Sequence, residues 1–211
     1  MDRYLRYIGL LTFTLLVLWP CFIYAQETDL EKKVNYFSEG DYDDAIMKIS
    51  KAIDNDPKDV DLYIGRGYGY IQKRLYDEAA ADFDKAIEMD IKSTTAYLYR
   101  GYIYFVRDKL DLAVADFNSA IGLNPSEEKA YLYRGQIYAK QGKNDQAMAD
   151  FSKLIELSPN DTVAYYNRSF IYFMKNDYDK SWADVHKIES LNGKVDEVFL
   201  KSLRLNSGKD K

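Results

Sequence analysis

Apolar residues recur along this chain with two spacings, three to four residues within a segment and 34 residues between segments. In one stretch, Tyr97, Gly101 and Tyr104 fall on one face of a helix, and Ala113 and Phe117 fall on one face of the next. The short spacing matches the 3.6-residue period of an α-helix, and the long spacing indicates that the same pair of helices is repeated. The pattern therefore predicts an all-α protein built from stacked helical hairpins.

Four columns of similar residues define the repeat. A tyrosine recurs at Tyr36, Tyr70, Tyr104, Tyr138 and Tyr172. Three positions earlier, four copies have a small residue, at Gly67, Gly101, Gly135 and Ser169. Nine positions after the tyrosine a second small residue follows, at Ala45, Ala79, Ala113, Ala147 and Ser181. A larger apolar residue lies four positions further on, at Ile49, Phe83, Phe117, Phe151 and Val185. Because one pair of helices cannot bury both its faces, we expect the repeats to be stabilised by stacking.

This order of aromatic, small, Tyr, Ala and Phe positions resembles the tetratricopeptide repeat (TPR), a helix–turn–helix unit of 34 residues. Three copies also end in the proline of that pattern, at Pro57, Pro125 and Pro159. The resemblance covers residues 26–195 as five units, at 26–59, 60–93, 94–127, 128–161 and 162–195. It implies a right-handed TPR superhelix, which we expect to end in a capping helix and polar tail within residues 196–211.

Turn residues and a last amphipathic segment complete the helical prediction. Gly40, Gly142 and Asn176 tolerate a left-handed backbone and predict turns between the two helices of their units. Arg74 and Asp108 occupy the same place in the other units and give no such signal. After the fifth unit, Asp196 is suited to cap a helix whose apolar residues would cover the end of the array, at Phe199, Leu200 and Leu203.

Charge and motif content argue against nucleic-acid binding and catalysis. The formal net charge is −5, whereas binding to phosphates requires a basic stripe. The single histidine, His186, and the single cysteine, Cys21, have no partners at metal-binding or catalytic spacing. The sequence has no phosphate-binding loop or nucleophile motif. We therefore expect a non-enzymatic protein without a metal or cofactor.

Two charged columns accompany the repeat. Arginines precede the small residue, at Arg66, Arg100, Arg134 and Arg168. Aspartates precede the larger apolar residue, at Asp82, Asp116, Asp150 and Asp184. Because arginine is suited to partly buried bidentate pairs, we interpret the columns as structural ion pairs between the two helices of each unit. A direct role in binding is the alternative.

The TPR resemblance implies that ligands bind on the concave face, along the first helix of each unit. The corresponding positions are mostly apolar, and they are Ile64, Tyr68, Leu98, Tyr102, Phe105, Leu132, Gln136, Lys140, Tyr166, Phe170, Phe173 and Met174. Leu30 and Val34 stand where a carboxylate-binding TPR would have Lys and Asn in its first unit. We therefore expect the groove to bind an apolar segment of another protein, unless its residues pack against neighbouring helices instead.

Two other functions remain open from the sequence. Exposed aromatic side chains at Tyr68, Tyr102, Tyr166 and Phe170 would stack on sugar rings in a carbohydrate-binding or polysaccharide-export accessory protein. A bare apolar end of the solenoid would instead favour self-association in a purely structural role.

The first 25 residues have the order of a secretory signal peptide. Arg3 and Arg6 precede an apolar stretch that ends at Ala25, where cleavage would leave Gln26 as the first residue. An uncleaved anchor over residues 8–25 is the alternative, since about 17 apolar residues can span a bilayer. Lipidation of Cys21 is disfavoured by the bulky residues before it. In each case the arginines stay inside, so we expect an exported protein, most simply in a bacterial periplasm, or one anchored facing outward.

Cleavage after Ala25 predicts that the mature protein begins at Gln26 and fractionates with soluble periplasmic proteins. Mass spectrometry of the protein purified from its source measures both termini. An intact chain from Met1 to Lys211 in the membrane fraction would establish the anchored alternative.

Overall fold

The computed structural model describes residues 41–208, in which the chain forms ten α-helices. In chain order, α1 to α10 span Tyr42–Asn55, Val60–Gln72, Tyr76–Met89, Thr94–Val106, Leu110–Leu123, Glu128–Lys140, Asn144–Leu157, Thr162–Met174, Tyr178–Ser190 and Glu197–Ser207. The predicted export segment, Gly40 and the expected first helix of the first unit lie outside the described residues.

The helices form a linear stack of hairpins. The pairs α2–α3, α4–α5, α6–α7 and α8–α9 pack closely within their units. We call the leading member of each pair the first helix and the trailing member the second helix, so that α1 is the second helix of the first unit. Each second helix also packs on the next first helix, and successive first helices contact each other. Four hydrophobic clusters follow one another along the described array and hold each unit through its neighbours.

Close approach of the two helices depends on the glycine column. A Cβ atom added to Gly101 would lie 2.9 Å from a ring carbon of Phe117, which is fully buried. The same added atom would meet Phe83 at Gly67 and Phe151 at Gly135. Glycine in a helix interior costs about 1 kcal/mol relative to alanine. That cost is offset here because the missing side chain makes room for a phenylalanine ring.

The fifth unit solves the same packing problem with different residues. Ser169 replaces the glycine and Val185 replaces the phenylalanine, and both are fully buried. The hydroxyl of Ser169 donates to the carbonyl of Tyr166 at 2.8 Å, and that of Ser181 donates to the carbonyl of Ser169 at 2.9 Å. The smaller valine thus leaves space for two hydroxyl groups that are both hydrogen-bonded, as buried polar groups must be.

The four turns between a first and a second helix that the structure describes have the same backbone conformation. The residue after the cap is left-handed in each, at Arg74, Asp108, Gly142 and Asn176. In the first of these turns, the Leu75 amide donates to the Tyr70 carbonyl at 2.9 Å and the Arg74 amide donates to the Ile71 carbonyl at 2.8 Å. This is the Schellman arrangement. Arg74 and Asp108 adopt this left-handed conformation although their residue types did not predict it.

The array ends with a helix that covers the fifth unit. Asp196 caps α10 by accepting from the Phe199 amide at 2.9 Å. Phe199, Leu200 and Leu203 are buried against the fifth unit. The indole of Trp182 donates to the hydroxyl of Ser207 at 3.1 Å and ties α10 to α9.

The close contact between Gly101 and the Phe117 ring predicts that Gly101→Ala destabilises the protein, by about 1–3 kcal/mol, because the added methyl group overpacks a buried ring. Chemical denaturation measures the loss. Gly122→Ala in α5 is the matched control, since a Cβ there would meet nothing within 4 Å. The control should gain up to about 1 kcal/mol from helix propensity. Equal stabilisation of both variants would show that the space between Gly101 and the Phe117 ring can hold a methyl group.

Candidate functional site

Each arginine of the predicted column forms a bidentate pair with an aspartate of its own unit. The Nε of Arg100 donates to Oδ2 of Asp116 at 2.8 Å, and its Nη2 donates to Oδ1 at 2.7 Å. The other pairs have the same two bonds, and they are Arg66–Asp82, Arg134–Asp150 and Arg168–Asp184. The four aspartates are buried, and Asp116 is 5% exposed. These charges therefore hold the two helices of a unit together.

The same arginines also bind the preceding unit through Nη1. The acceptor lies 16 residues earlier on the preceding second helix, and the four acceptors are Ser50, Asp84, Asn118 and Ser152. The Arg100–Asp84 bond is 2.7 Å long. The sequence pattern does not predict this third column, because its residue types differ from unit to unit. Its members share only a side-chain oxygen that can accept a hydrogen bond.

Two tyrosines of the first helix flank each guanidinium. The Cζ of Arg100 lies 5.6 Å from the ring centre of Tyr97 and 5.9 Å from that of Tyr104. The other three arginines have equivalent tyrosines on both sides. A cation within about 6 Å of a ring is attracted by the ring quadrupole. Much of the tyrosine content of the chain therefore supports the arginine column.

The ionisation of each pair follows from this environment. The hydrogen bond to Asp116 holds the pKa of Arg100 above its ordinary value. Burial raises the pKa of Asp82, and the guanidinium of Arg66 opposes that shift. A buried carboxylate without its arginine would therefore be costly to keep charged. The pair is a structural device rather than a proton-transfer site.

Six of the predicted groove residues are buried, which corrects their assignment to an open ligand surface. They are Ile64, Tyr68, Leu98, Phe105, Leu132 and Gln136. The next first helix covers this face. The ring of Tyr99 lies 5.7 Å from that of Tyr68, and the ring of Tyr133 lies 5.8 Å from that of Phe105. Because Tyr68 is 6% exposed, it is not available for the sugar stacking that the carbohydrate alternative requires.

The other six predicted groove residues keep some exposed surface. Tyr102, Tyr166, Phe170 and Phe173 are half-buried. Met174 is 49% exposed at the end of α8. Lys140 is exposed and pairs with Asp108 at 2.5 Å. The accessible apolar surface is thus narrower than the sequence predicted, and apart from Tyr166 it lies along the C-terminal parts of the first helices.

One interface between units lacks the aromatic contact of its neighbours. Gln136 and Asn167 stand where the preceding interface has Tyr102 and Tyr133, whose rings are 5.4 Å apart. Gln136 is 3% exposed, and its Oε1 has no hydrogen-bond partner within the described residues. Leu154 and Ile171 bury this interface with aliphatic side chains instead.

The described part of the chain offers no metal-binding group, and none of its helices is long and apolar enough to span a membrane. His186 stacks on Trp182 with ring centres 5.6 Å apart. It occupies the fifth position of the Ser50, Asp84, Asn118 and Ser152 column.

Family models for a helical repeat match two parts of the chain. A model described as TPR repeat matches residues 101–142 and 135–176, and one described as tetratricopeptide repeat matches residues 35–94. The chain belongs to the tetratricopeptide repeat family. Proteins built from TPR units are typically non-enzymatic scaffolds for protein–protein interaction. Comparison with curated protein sequences finds no significant match.

Solved TPR structures share this fold. A crystal structure of MamA is 26% identical, with a TM-score of 0.68, and the match covers 80% of this chain and 96% of MamA. YrrB, described as a TPR protein with an unusual peptide-binding site, is 24% identical, with a TM-score of 0.63 over 85% of this chain and 87% of YrrB. PilF of Pseudomonas aeruginosa is 16% identical, with a TM-score of 0.76 over 86% of this chain and 83% of PilF.

The arginine column predicts that Arg66→Leu destabilises the TPR array by about 1–3 kcal/mol, because it leaves the buried Asp82 carboxylate unpaired. The double change Arg66→Leu with Asp82→Leu should cost less than the sum of the single changes. Chemical denaturation of the wild type, the two single variants and the double variant gives the coupling energy between the two side chains. Lys85→Leu is the control, because Lys85 pairs with Glu88 at 3.1 Å in the open and such pairs contribute less than about 1 kcal/mol.

The same variants predict a pH dependence. Loss of Arg66 removes the charge that lowers the pKa of Asp82, so burial raises that pKa further above the ordinary value of 3.8. A carboxyl group with a raised pKa in the folded state gains stability as the pH falls. The deficit of Arg66→Leu should therefore shrink as the pH is lowered from 7 towards that ordinary value. A deficit that stays constant with pH would show that Asp82 is not the stranded group.

Proposed function

We propose that this TPR protein is a non-enzymatic interaction scaffold of the bacterial cell envelope, and that it binds an apolar segment of another protein on its concave face. The first helices of successive units contact one another along the array, so their side chains form a continuous strip. TPR proteins are typically scaffolds for other proteins, and YrrB, on the same fold, has a peptide-binding site. The export segment read from residues 1–25 supports a location outside the cytoplasmic membrane.

The observation that carries the proposal is the accessible apolar surface of α4 and α8. Val106 and Met174 occupy equivalent positions at the ends of these helices and are 39% and 49% exposed. The half-buried rings of Tyr102 and Phe170 lie one turn earlier on the same helices. Ring surface next to exposed aliphatic side chains suits an apolar ligand, since aromatic residues dominate the energetics of protein interfaces.

Charge around this strip supports an apolar ligand over an acidic one. Lys140 lies between Val106 and Met174 in the same column, but its ammonium group already pairs with Asp108. The carboxylate-binding lysine and asparagine of some TPR proteins are replaced by Leu30 and Val34 in this sequence. Binding should therefore depend little on charge.

The proposal predicts that Tyr102→Ala and Phe170→Ala each weaken binding of the native partner, by roughly 2 kcal/mol, because buried aromatic side chains act as anchors. Raising the salt concentration should barely change the affinity, since few charges are available to screen. The partner is the protein that crosslinks to the repeats in the native envelope, and titration calorimetry gives the affinity.

Leu112→Ala is the matched control, because Leu112 is 50% exposed on α5, a second helix. Circular dichroism verifies that the variants remain helical, since Tyr102 and Phe170 also pack inside the array. A folded Tyr102→Ala, Phe170→Ala double variant with wild-type affinity would place the binding surface elsewhere.

A further inference from the structure

The capping helix α10 carries one aromatic residue, Phe199, which packs on the fifth unit beside Leu200 and Leu203. The ring centre of Phe199 lies 5.8 Å from that of Phe170 and 5.7 Å from that of Phe173. Phe199 is 5% exposed. The ring therefore fills the space between α8 and α10.

The same contact occurs inside the array. Tyr133 of α6 lies 5.4 Å from Tyr102 and 5.8 Å from Phe105 of α4, measured between ring centres. Tyr102 and Phe105 occupy the columns that hold Phe170 and Phe173 two units later. Phe199 thus takes the place of Tyr133 against these two rings.

This correspondence identifies a face of α10 that is covered in the internal units. On α4, Leu98 lies one residue before the ring of Tyr99 and Phe105 lies six residues after it. Their side chains are only 5% and 7% exposed because the following helix covers them. The equivalent residues on α10, Val198 and Leu205, are 57% and 72% exposed. The difference arises because α10 is the last helix of the described array.

We propose that the α10 face formed by Val198, Ser202 and Leu205 is a docking site for an amphipathic helix of another protein that presents an aromatic side chain. The occupant follows from the internal interface that this face continues, in which α6 covers α4 with Tyr133. Ser202 lies at the position equivalent to Tyr102, and its hydroxyl is satisfied by the Val198 carbonyl at 2.9 Å. The small serine leaves room for an incoming ring.

A second copy of the chain fits this face poorly. The position equivalent to Tyr99 and Tyr133 in the first unit is Glu31, followed by Lys32 and Lys33, so the N-terminal repeat does not offer the required ring. Two α10 helices facing each other would bury only two large apolar side chains each. A stable dimer buries about 800 Å² per partner, whereas a small apolar face suits a weak and reversible contact.

The test uses a hydrocarbon-stapled peptide with the sequence of α6, residues 128–141, as the probe helix. We expect it to shift the methyl NMR signals of Val198 and Leu205 in the full-length chain and to saturate. Leu205→Glu should weaken binding at least about tenfold, because it puts a charge into the apolar contact. Leu112→Glu, at a comparably exposed position on α5, should leave the affinity unchanged. A peptide with Tyr133→Ser should also bind at least about tenfold more weakly.

Three results would overturn the proposal. The first is binding that neither Leu205→Glu nor the loss of the peptide tyrosine weakens, or no saturable shift at all. The second is a concentration-dependent dimer of the chain alone that Leu205→Glu abolishes, which would make a second copy the occupant. The third is binding that Tyr102→Ala weakens and Leu205→Glu does not, which would place the peptide on the concave face and so support the proposed function instead.

Discussion

The arrangement of the helices depends on the arginine of each first helix. Arg100 is hydrogen-bonded to Asp116 on its own second helix and to Asp84 on the preceding one. One planar group thus joins three helices, and only one mutual placement satisfies all of its bonds. Well-packed apolar side chains in the place of a buried ion pair often stabilise a fold as much or more. We infer that the arginine column mainly sets the register of the stack, while the free energy of folding comes from the buried rings and aliphatic side chains around it.

The glycine column and the charged column depend on each other. A Cβ on Gly101 would lie 3.1 Å from the Cβ of Asp116 as well as against Phe117. The close approach of the two helices that accommodates the Phe117 ring therefore also shields the Asp116 carboxylate from water. The fifth unit shows that the small residue and the ring can be replaced together, since the serine and valine there preserve the pair of Arg168 with Asp184.

Periodicity predicts the helix pairs because every repeat has the same residue types at the same positions. The predicted pairing of the two helices also places the arginine and aspartate columns close enough to form ion pairs. Local residue types could not predict the left-handed turns at Arg74 and Asp108. There the tight hairpin imposes a conformation that these residues do not favour alone. The groove was predicted too wide for another reason. Spacing identifies which residues share a face of one helix, but the rotation of that helix against its neighbour decides how much of the face is covered, as Leu98 and Tyr68 show.

The end of the array shows which interactions make a TPR unit and which only cover one. Asn192 has a left-handed backbone, and a Cβ on Gly193 would lie 2.7 Å from Ile188, so the chain turns tightly after α9. This turn shifts the register, and Phe199 rather than the residue 34 positions after Asn167 fills the aromatic place. The arginine column stops at the same point, since Leu200 follows Phe199 where Arg134 follows Tyr133. Apolar side chains and one hydrogen bond hold α10 on the fifth unit, without the arginine that joins three helices in the internal units.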